Sequence, residues 1–198
     1  RDGLPNFYSV LKAQEAHLKF VMLTGVSKFS KVSLFSGLNN LQDISLDKRY
    51  GTLCGYTQEE LESVFSEFLT DIDLNQLKLW YNGYSFLSEP VYNPFDILLY
   101  LDSRLYKPYW FETGTPSFLV RLLAEKKLFI PSLENLVAGE ELLGSFDIDF
   151  IEPETLLFQT GYLTIKEKEH LFDHEYVYHL GFPNHEVKIG RASCRERV

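Results

Sequence analysis

The fold prediction rests on the stretch Leu18-Lys19-Phe20-Val21-Met22-Leu23-Thr24-Gly25, an almost unbroken apolar run that ends in Thr-Gly. A short run of this kind is typical of a strand buried on both faces of a parallel sheet, because a core helix would be longer. Apolar residues at near-helical spacing over residues 1–17 precede it. Together, the helix and the strand predict the closing half of an α/β unit.

The residues that follow predict a further helix and a further strand of the same sheet. Apolar positions between Lys28 and Leu38 fall at helical spacing, and Gly37 is a plausible stop. Asp43–Asp47 alternates polar and apolar side chains, as a strand at a sheet edge does. Residues 1–52 are therefore predicted to form the C-terminal portion of a parallel sheet.

Residues 53–150 predict a mostly helical segment. Thr57-Gln58-Glu59-Glu60 is a capping box, in which Thr57 is the N-cap and Glu60 reaches back to it. The helix that follows has an apolar stripe made of Leu61, Val64, Phe65 and Phe68. Further helix starts are predicted at Asp73 or Asn75, Asn93-Pro94 and Thr115-Pro116.

Residues 151–188 predict a winged-helix-like segment. Glu152-Pro153 opens a short helix that Gly161 ends. Tyr162–Ile165 and Tyr176–Leu180 are predicted to be antiparallel strands joined by a charged loop. A helix followed by a two-stranded ribbon is the winged-helix-like arrangement. Residues 189–198 match a translated sequencing-library adapter at every position, so we interpret them as an artefact and leave them out of the fold prediction.

The composition predicts a soluble globular protein. The chain has 198 residues, 19 Lys and Arg against 28 Asp and Glu, a net charge of −9 and 45% hydrophobic residues. This balance excludes a disordered acidic tail, a collagen-like repeat and a disulfide miniprotein. No apolar run approaches the roughly 20 residues of a membrane helix, so no membrane association is expected. Once Cys194 in the adapter-like tail is set aside, Cys54 is the single cysteine, which favours a reducing, cytoplasmic setting.

Thr24 is the most interesting candidate for a ligand contact. A polar residue at the carboxyl end of a parallel strand lies where open α/β sheets bind ligands, which suits a sensor of a nucleotide's terminal phosphate or attacking water. The alternative, which composition alone favours, is that Thr24 ends the strand and caps the next helix. Lys28 and Lys31 either reach a phosphate from the same edge or stay solvated. Arg49 is a candidate arginine finger, but a surface ion pair with Asp47 is the preferred interpretation.

Several kinds of chemistry are missing from the sequence. The chain contains no G-x-x-x-x-G-K-[ST] phosphate-binding loop, no acidic pair after an apolar run to hold Mg²⁺, and no H-E-x-x-H, C-x-x-C or G-x-S-x-G motif. His170 and His174 flank Asp173, and we interpret them as part of a solvated loop rather than a metal site. The aromatic clusters Trp80–Tyr84 and Tyr109–Phe111 are predicted to pack between helices, because the surrounding charge is too mixed for a nucleic-acid groove.

Taken together, these motifs resemble the bacterial AAA-ATPase-like family over about residues 7–188. The stretches that carry the resemblance are Phe20–Lys31, Phe35–Leu41, Asp43–Leu46, Cys54–Thr57, Trp80–Tyr84, Tyr92–Phe95, Tyr109–Pro116, Leu157–Ile165 and Gly181–Asn184. The resemblance implies a P-loop ATPase core that binds ATP and Mg²⁺, then a helical segment with a winged-helix-like end, and often a PD-(D/E)XK nuclease-like domain. It also implies that the phosphate-binding loop and the magnesium-holding strand lie upstream of Phe7, and that the nuclease-like domain follows Val187.

Only a few positions carry over from the family. The resemblance implies that Thr24 is a sensor, that Lys28 lies close behind it in the nucleotide site, and that Arg49 occupies a usually basic position; no catalytic residue and no metal ligand is implied. The first hypothesis is therefore an inactive fragment of an AAA-like ATPase, whose partner is the missing N-terminal half. The alternatives are a winged-helix-like module that binds nucleic acid, which the pI near 5.1 disfavours, and a structural scaffold for a nuclease-like domain.

Overall fold

The computed structural model describes residues 10–25 except Lys12, and residues 42–114, 130–140, 152–172 and 175–189. Its helices are α1 (Gln58–Val64), α2 (Leu74–Tyr81), α3 (Pro94–Ser103), α4 (Tyr109–Gly114), α5 (Pro153–Gln159) and α6 (residues 185–189). Its strands are β1 (Asn82–Tyr84), β2 (Val91–Tyr92), β3 (Leu136–Ala138), β4 (Thr164–His170) and β5 (Tyr176–Gly181). Single 3-10 turns lie at Glu15–His17, Lys48–Tyr50, Ser66–Phe68 and Ile130–Asn135. None of these helices is long and apolar enough to cross a membrane.

The predicted helix starts are confirmed wherever they fall on described residues. Thr57 accepts a hydrogen bond from the Glu60 amide at 3.1 Å, and the Glu60 carboxylate accepts one from the Thr57 amide at 2.9 Å, which completes the capping box of α1. Asp73 caps α2 and Asn93 caps α3, where Pro94 is the first helical residue. α5 begins at Pro153, as predicted.

A first hydrophobic core lies among α1, α2 and α3. Its fully or nearly buried residues are Leu61, Leu77, Tyr81, Tyr92, Ile97 and Tyr100. Tyr81 lies at the centre, and its hydroxyl both donates to the carbonyl of Lys107 and accepts from the amide of the same residue, each at 3.0 Å. Trp80, Tyr100 and Tyr106 surround that ring, so the prediction that the first aromatic cluster packs between helices is confirmed.

A second core lies under a three-stranded antiparallel sheet with the order β3-β5-β4. The sheet covers α5, whose buried residues include Leu156, Leu157 and Phe158, and Phe111 of α4 packs into the same core. The predicted antiparallel pairing is confirmed in β4 and β5, with His170 opposite Tyr176 at the loop end. The predicted bounds of the first strand, Tyr162–Ile165, are wrong, because the charged residues expected to form the loop continue β4 as far as His170. The third strand, β3, was not predicted, because Leu136–Ala138 is too short to show alternation.

The two cores meet at β1. The Ser85 amide donates to the hydroxyl of Thr164 at 2.7 Å, which links the segment after β1 to β4. Gly83 has φ = +121°, and a Cβ there would lie 2.1 Å from the carbonyl oxygen of Pro183. Glycine is therefore required at this position, both by the backbone conformation and by the close approach.

Two segments near the N-terminus that the sequence predicts to be strands are not strands in this structure. Leu18–Gly25 is not in a strand, and its apolar side chains are 39–80% exposed, with Phe20 the most exposed. A strand that is buried on both faces needs neighbouring strands in a covered sheet, and no described strand lies beside Leu18–Gly25. Asp43–Asp47 forms a turn, because the Asp43 carboxylate accepts from the Ser45 amide at 3.0 Å and competes with strand geometry.

The structure describes only some of the residues on which the remaining predictions depend. Residues 10, 11 and 13 are helical, in agreement with the predicted N-terminal helix. The helix predicted for residues 28–38, the start at Thr115-Pro116 and most of the adapter-like tail lie outside the described residues. The parallel sheet of residues 1–52 and the winged-helix-like character of residues 151–188 stay predictions.

Candidate functional site

Of the three predicted nucleotide-contacting residues, the structure describes Thr24 and Arg49, and these two do not form a common site. Thr24 is exposed, and Lys28 lies outside the described residues. Arg49 pairs with Asp47, with 2.5 Å between Nη2 and Oδ2 and 3.0 Å from Nε to each carboxylate oxygen. Among the described residues no hydrogen bond or ion pair joins Thr24 to Arg49.

The Arg49–Asp47 pair is the surface ion pair that the sequence favoured. Hydrogen bonds from the Arg49 side chain and amide lower the pKa of Asp47 to about 2. The Arg49 side chain is mostly in solvent, where such pairs contribute little to stability. Its family-derived role in the nucleotide site stays a prediction.

A buried carboxyl pair, which the sequence did not reveal, joins the two cores. Asp96 on α3 and Glu186 on α6 are both 0% exposed. Asp96 Oδ1 accepts from the Trp110 amide at 3.0 Å, and Glu186 Oε1 accepts from the Phe111 amide at 3.1 Å. The two carboxyls thus satisfy consecutive N–H groups in the first turn of α4, which have no partner within that helix.

The electrostatics of this pair favour a bound proton. Burial is the main cause that raises the pKa of both carboxyls, and the hydrogen-bonding contact with Asp96 raises that of Glu186 further. The second oxygens, Asp96 Oδ2 and Glu186 Oε2, have no conventional donor. No Lys or Arg in the described part of the chain pairs with either carboxyl. Without such compensation it is costly to keep two buried, adjacent carboxyls both ionised, which favours protonation of one of them.

Two more buried polar groups complete what we call the carboxyl cluster, which consists of Tyr84, Asp96, Asn184 and Glu186. The Tyr84 hydroxyl and Asn184 Nδ2 are buried without a hydrogen bond of good geometry, although the Asn184 side chain lies beside the hydroxyl. Burial raises the pKa of Tyr84 well above its ordinary value, and both carboxyls add to the effect. Asn184 Oδ1 accepts from the Val187 amide at 3.1 Å and so caps α6.

The carboxyl cluster is sealed from solvent, which decides what it can do chemically. A substrate cannot reach 0%-exposed carboxyls without opening the fold. The described residues contain no group of three or more His, Cys, Asp or Glu side chains that could hold a metal ion. The arrangement is therefore suited to holding α3, α4 and α6 together and to storing a proton.

One local signal pointed to this cluster. Glu186 is the single acidic residue of the stretch Gly181–Val187, and Asp96 occupies the first turn of a helix, where an exposed dipole partner is the usual interpretation. Their pairing spans ninety positions of sequence, and no local pattern encodes it.

The second hypothesis treats the β4–β5 hairpin as a wing that binds nucleic acid. Both lysines in the described part of this hairpin already have partners within the protein. Lys168 Nζ lies 3.7 Å from the ring centroid of Tyr176. Lys166 Nζ donates to the Pro183 carbonyl at 3.2 Å, and burial lowers the pKa of Lys166. His179 pairs with Glu169 at 3.0 Å. Lys and Glu alternate along β4, so the hairpin carries no basic stripe.

Comparisons with known proteins place the N-terminal segment near one family. A family model described as "Predicted AAA-ATPase" matches residues 1–35. A curated protein of Azotobacter chroococcum mcd 1, "Uncharacterized protein in vnfD 5'region", is 54% identical over 198 residues. That alignment covers 100% of this chain but 38% of the relative, so the chain spans well under half of the relative's length. No solved structure matches.

Proposed function

We propose that this chain is the sensor-side part of an AAA-like ATPase core, joined to a body of two hydrophobic cores. The observation that carries the proposal is the family match over residues 1–35, which contains both Thr24 and Lys28. In the whole protein, an upstream segment supplies the phosphate-binding loop and the magnesium ligands. ATP and Mg²⁺ bind there, and the 198-residue chain alone does not hydrolyse ATP.

The exposure of Leu18–Gly25 supports this proposal. Phe20 is 80% exposed, and the flanking apolar side chains Leu18, Val21, Met22 and Leu23 are 39–48% exposed. Contiguous exposed apolar side chains of this kind are characteristic of a surface that a further part of a protein covers. The upstream strands of the ATPase sheet are the occupant that the proposal assigns to it.

Thr24 is the residue that the proposal makes responsible for sensing the nucleotide. At the carboxyl end of a strand in the completed sheet, its hydroxyl would face the terminal phosphate or the attacking water. Thr24→Val removes the hydroxyl and keeps the shape of the side chain. A single lost hydrogen bond to the transition state lowers turnover by roughly tenfold to a thousandfold.

The experiment compares ATP hydrolysis by the longer polypeptide, with the upstream segment present, in wild-type and Thr24→Val forms. Thr113→Val is the matched control, since Thr113 donates only to carbonyls of its own helix. Magnesium-dependent hydrolysis that falls in Thr24→Val and persists in Thr113→Val supports the proposal. No hydrolysis by the longer wild-type polypeptide contradicts it, and equal turnover by all three proteins removes Thr24 from the mechanism.

A further inference from the structure

We infer that Asp96 and Glu186 share one proton, and that this proton latches α6 and the second core onto α3 of the first core. The inference is independent of the proposed ATPase role. It rests on where the two carboxyls lie and on which groups they hold.

Each carboxyl belongs to a different core. Asp96 is next to Ile97, a fully buried residue of the first core, and Glu186 is next to Val187, a buried residue of the second. Both carboxyls hold the start of α4 through the adjacent amides of Trp110 and Phe111. Breaking the carboxyl pair would therefore leave each core intact and remove a buried link between them.

Each carboxyl of the pair has one oxygen that a backbone amide holds and one that no backbone amide holds. Oδ1 and Oε1 are occupied by backbone N–H donors, whereas Oδ2 and Oε2 have no conventional donor. Because the two side chains are in hydrogen-bonding contact with each other, one proton held between the carboxyls would satisfy an oxygen of each. Without it, two buried negative charges face each other, and the lowest-energy response is for one of them to move into water.

The groups that face the pair do not supply a compensating positive charge. The two carboxyls act electrostatically on the hydroxyls of Tyr81 on α2 and Tyr84 on β1. Burial raises the pKa of both tyrosines, so both stay protonated and neutral. On α6 itself, the His185 ring packs against Trp80, and Lys188 pairs with Glu134 at 3.1 Å. The pair must therefore hold its own proton.

The sign of the pH effect follows from this arrangement. The folded chain binds a proton that the unfolded chain releases once the pH passes the ordinary carboxyl range. The latch is thus strongest at acid pH and weakens progressively as the pH rises through the raised pKa of Glu186 into the alkaline range. Removal of the proton therefore weakens the attachment of α6 to α3 and α4.

The test uses hydrogen exchange of the Trp110 and Phe111 amides across pH in the full 198-residue chain, expressed as protection factors so that the intrinsic pH effect cancels. In the wild type we expect protection to fall at alkaline pH by roughly tenfold or more, the cost of one broken buried hydrogen bond. In Glu186→Gln the amide Nε2 takes the place of the shared proton as donor to Asp96, so protection should persist. The Leu61 and Leu77 amides of the first core are the control, and they should not change.

Infrared spectroscopy supplies a second, independent readout. The wild type should show the carbonyl stretch of a protonated carboxylic acid at neutral pH, and both Glu186→Gln and Asp96→Asn should lose it. Absence of the band in the wild type overturns the inference. So does its survival in both variants, a failure of Glu186→Gln to fold, or equal alkaline loss of protection in the wild type and Glu186→Gln.

Discussion

At the scale of single residues, Gly83 is the position where substitution should be least tolerated. Its φ of +121° lies in a region that L side chains rarely adopt, and a Cβ would meet the Pro183 carbonyl. We expect Gly83→Ala to lower the free energy of unfolding by about 3 kcal/mol or more, because strain and the clash add. Urea denaturation measures this change.

Gly161 provides the matched control for that substitution. It also has a positive φ, of +85°, but a Cβ there would meet only ordinary contacts at 3.6 Å or more. Gly161→Ala should therefore cost only the conformational term, about 1 kcal/mol. Equal destabilisation by the two variants would show that the close approach to Pro183 contributes nothing.

The capping box of α1 makes a smaller contribution that can also be measured. Thr57→Ala removes the acceptor of the Glu60 amide, and Glu60 loses the hydroxyl that donates to it. We expect a loss of about 1 kcal/mol of stability. Ser63→Ala, on the exposed side of the same helix, removes only a long 3.3 Å bond to a carbonyl and should change stability by less than about 0.5 kcal/mol.

At the scale of secondary-structure elements, the sequence predicted a helix correctly where a neighbouring residue caps the backbone amides at its N-terminus. The N-caps Thr57, Asp73 and Asn93 act within two or three residues, so the sequence was sufficient to place α1, α2 and α3. The β4–β5 pair was also predictable, because both strands and their loop are contiguous. β3 was missed because its three residues become a strand only through pairing with β5, which lies forty positions away.

The N-terminal strand prediction failed for a related reason. Burial on both faces depends on neighbouring strands, and the described part of the chain places no strand beside Leu18–Gly25. The carboxyl cluster was missed because the pairing of two distant acidic residues has no local signature. A single Asp or Glu in a motif is interpreted as exposed unless its distant partner is known.

The β4–β5 hairpin gives a prediction about nucleic acid. Because Lys168 is engaged by Tyr176 and Lys166 by Pro183, we expect no retention of duplex or single-stranded DNA or RNA in a gel shift at low salt. A basic unrelated winged-helix protein is the positive control. Retention that falls steeply as salt increases would instead support the nucleic-acid hypothesis.

At the scale of the whole molecule, we expect a substitution in the exposed segment Leu18–Gly25 to affect the 198-residue chain and the longer polypeptide differently. Phe20→Asp removes the most exposed apolar side chain, so we expect less self-association of the 198-residue chain in sedimentation experiments. In the longer polypeptide the same substitution places a charge inside the completed sheet and should destabilise it. If Phe20→Asp leaves the longer polypeptide fully stable, the segment is not a buried strand there.

The central claim is that the triphosphate site is shared between this chain and a segment upstream of it. The most direct measurement is equilibrium binding of ATP with Mg²⁺ to the 198-residue chain and to the longer polypeptide, side by side. We expect saturable binding by the longer polypeptide and none by the chain alone, because the phosphate-binding loop is proposed to lie in the upstream segment. Tight, saturable binding of ATP by the 198-residue chain alone would contradict it.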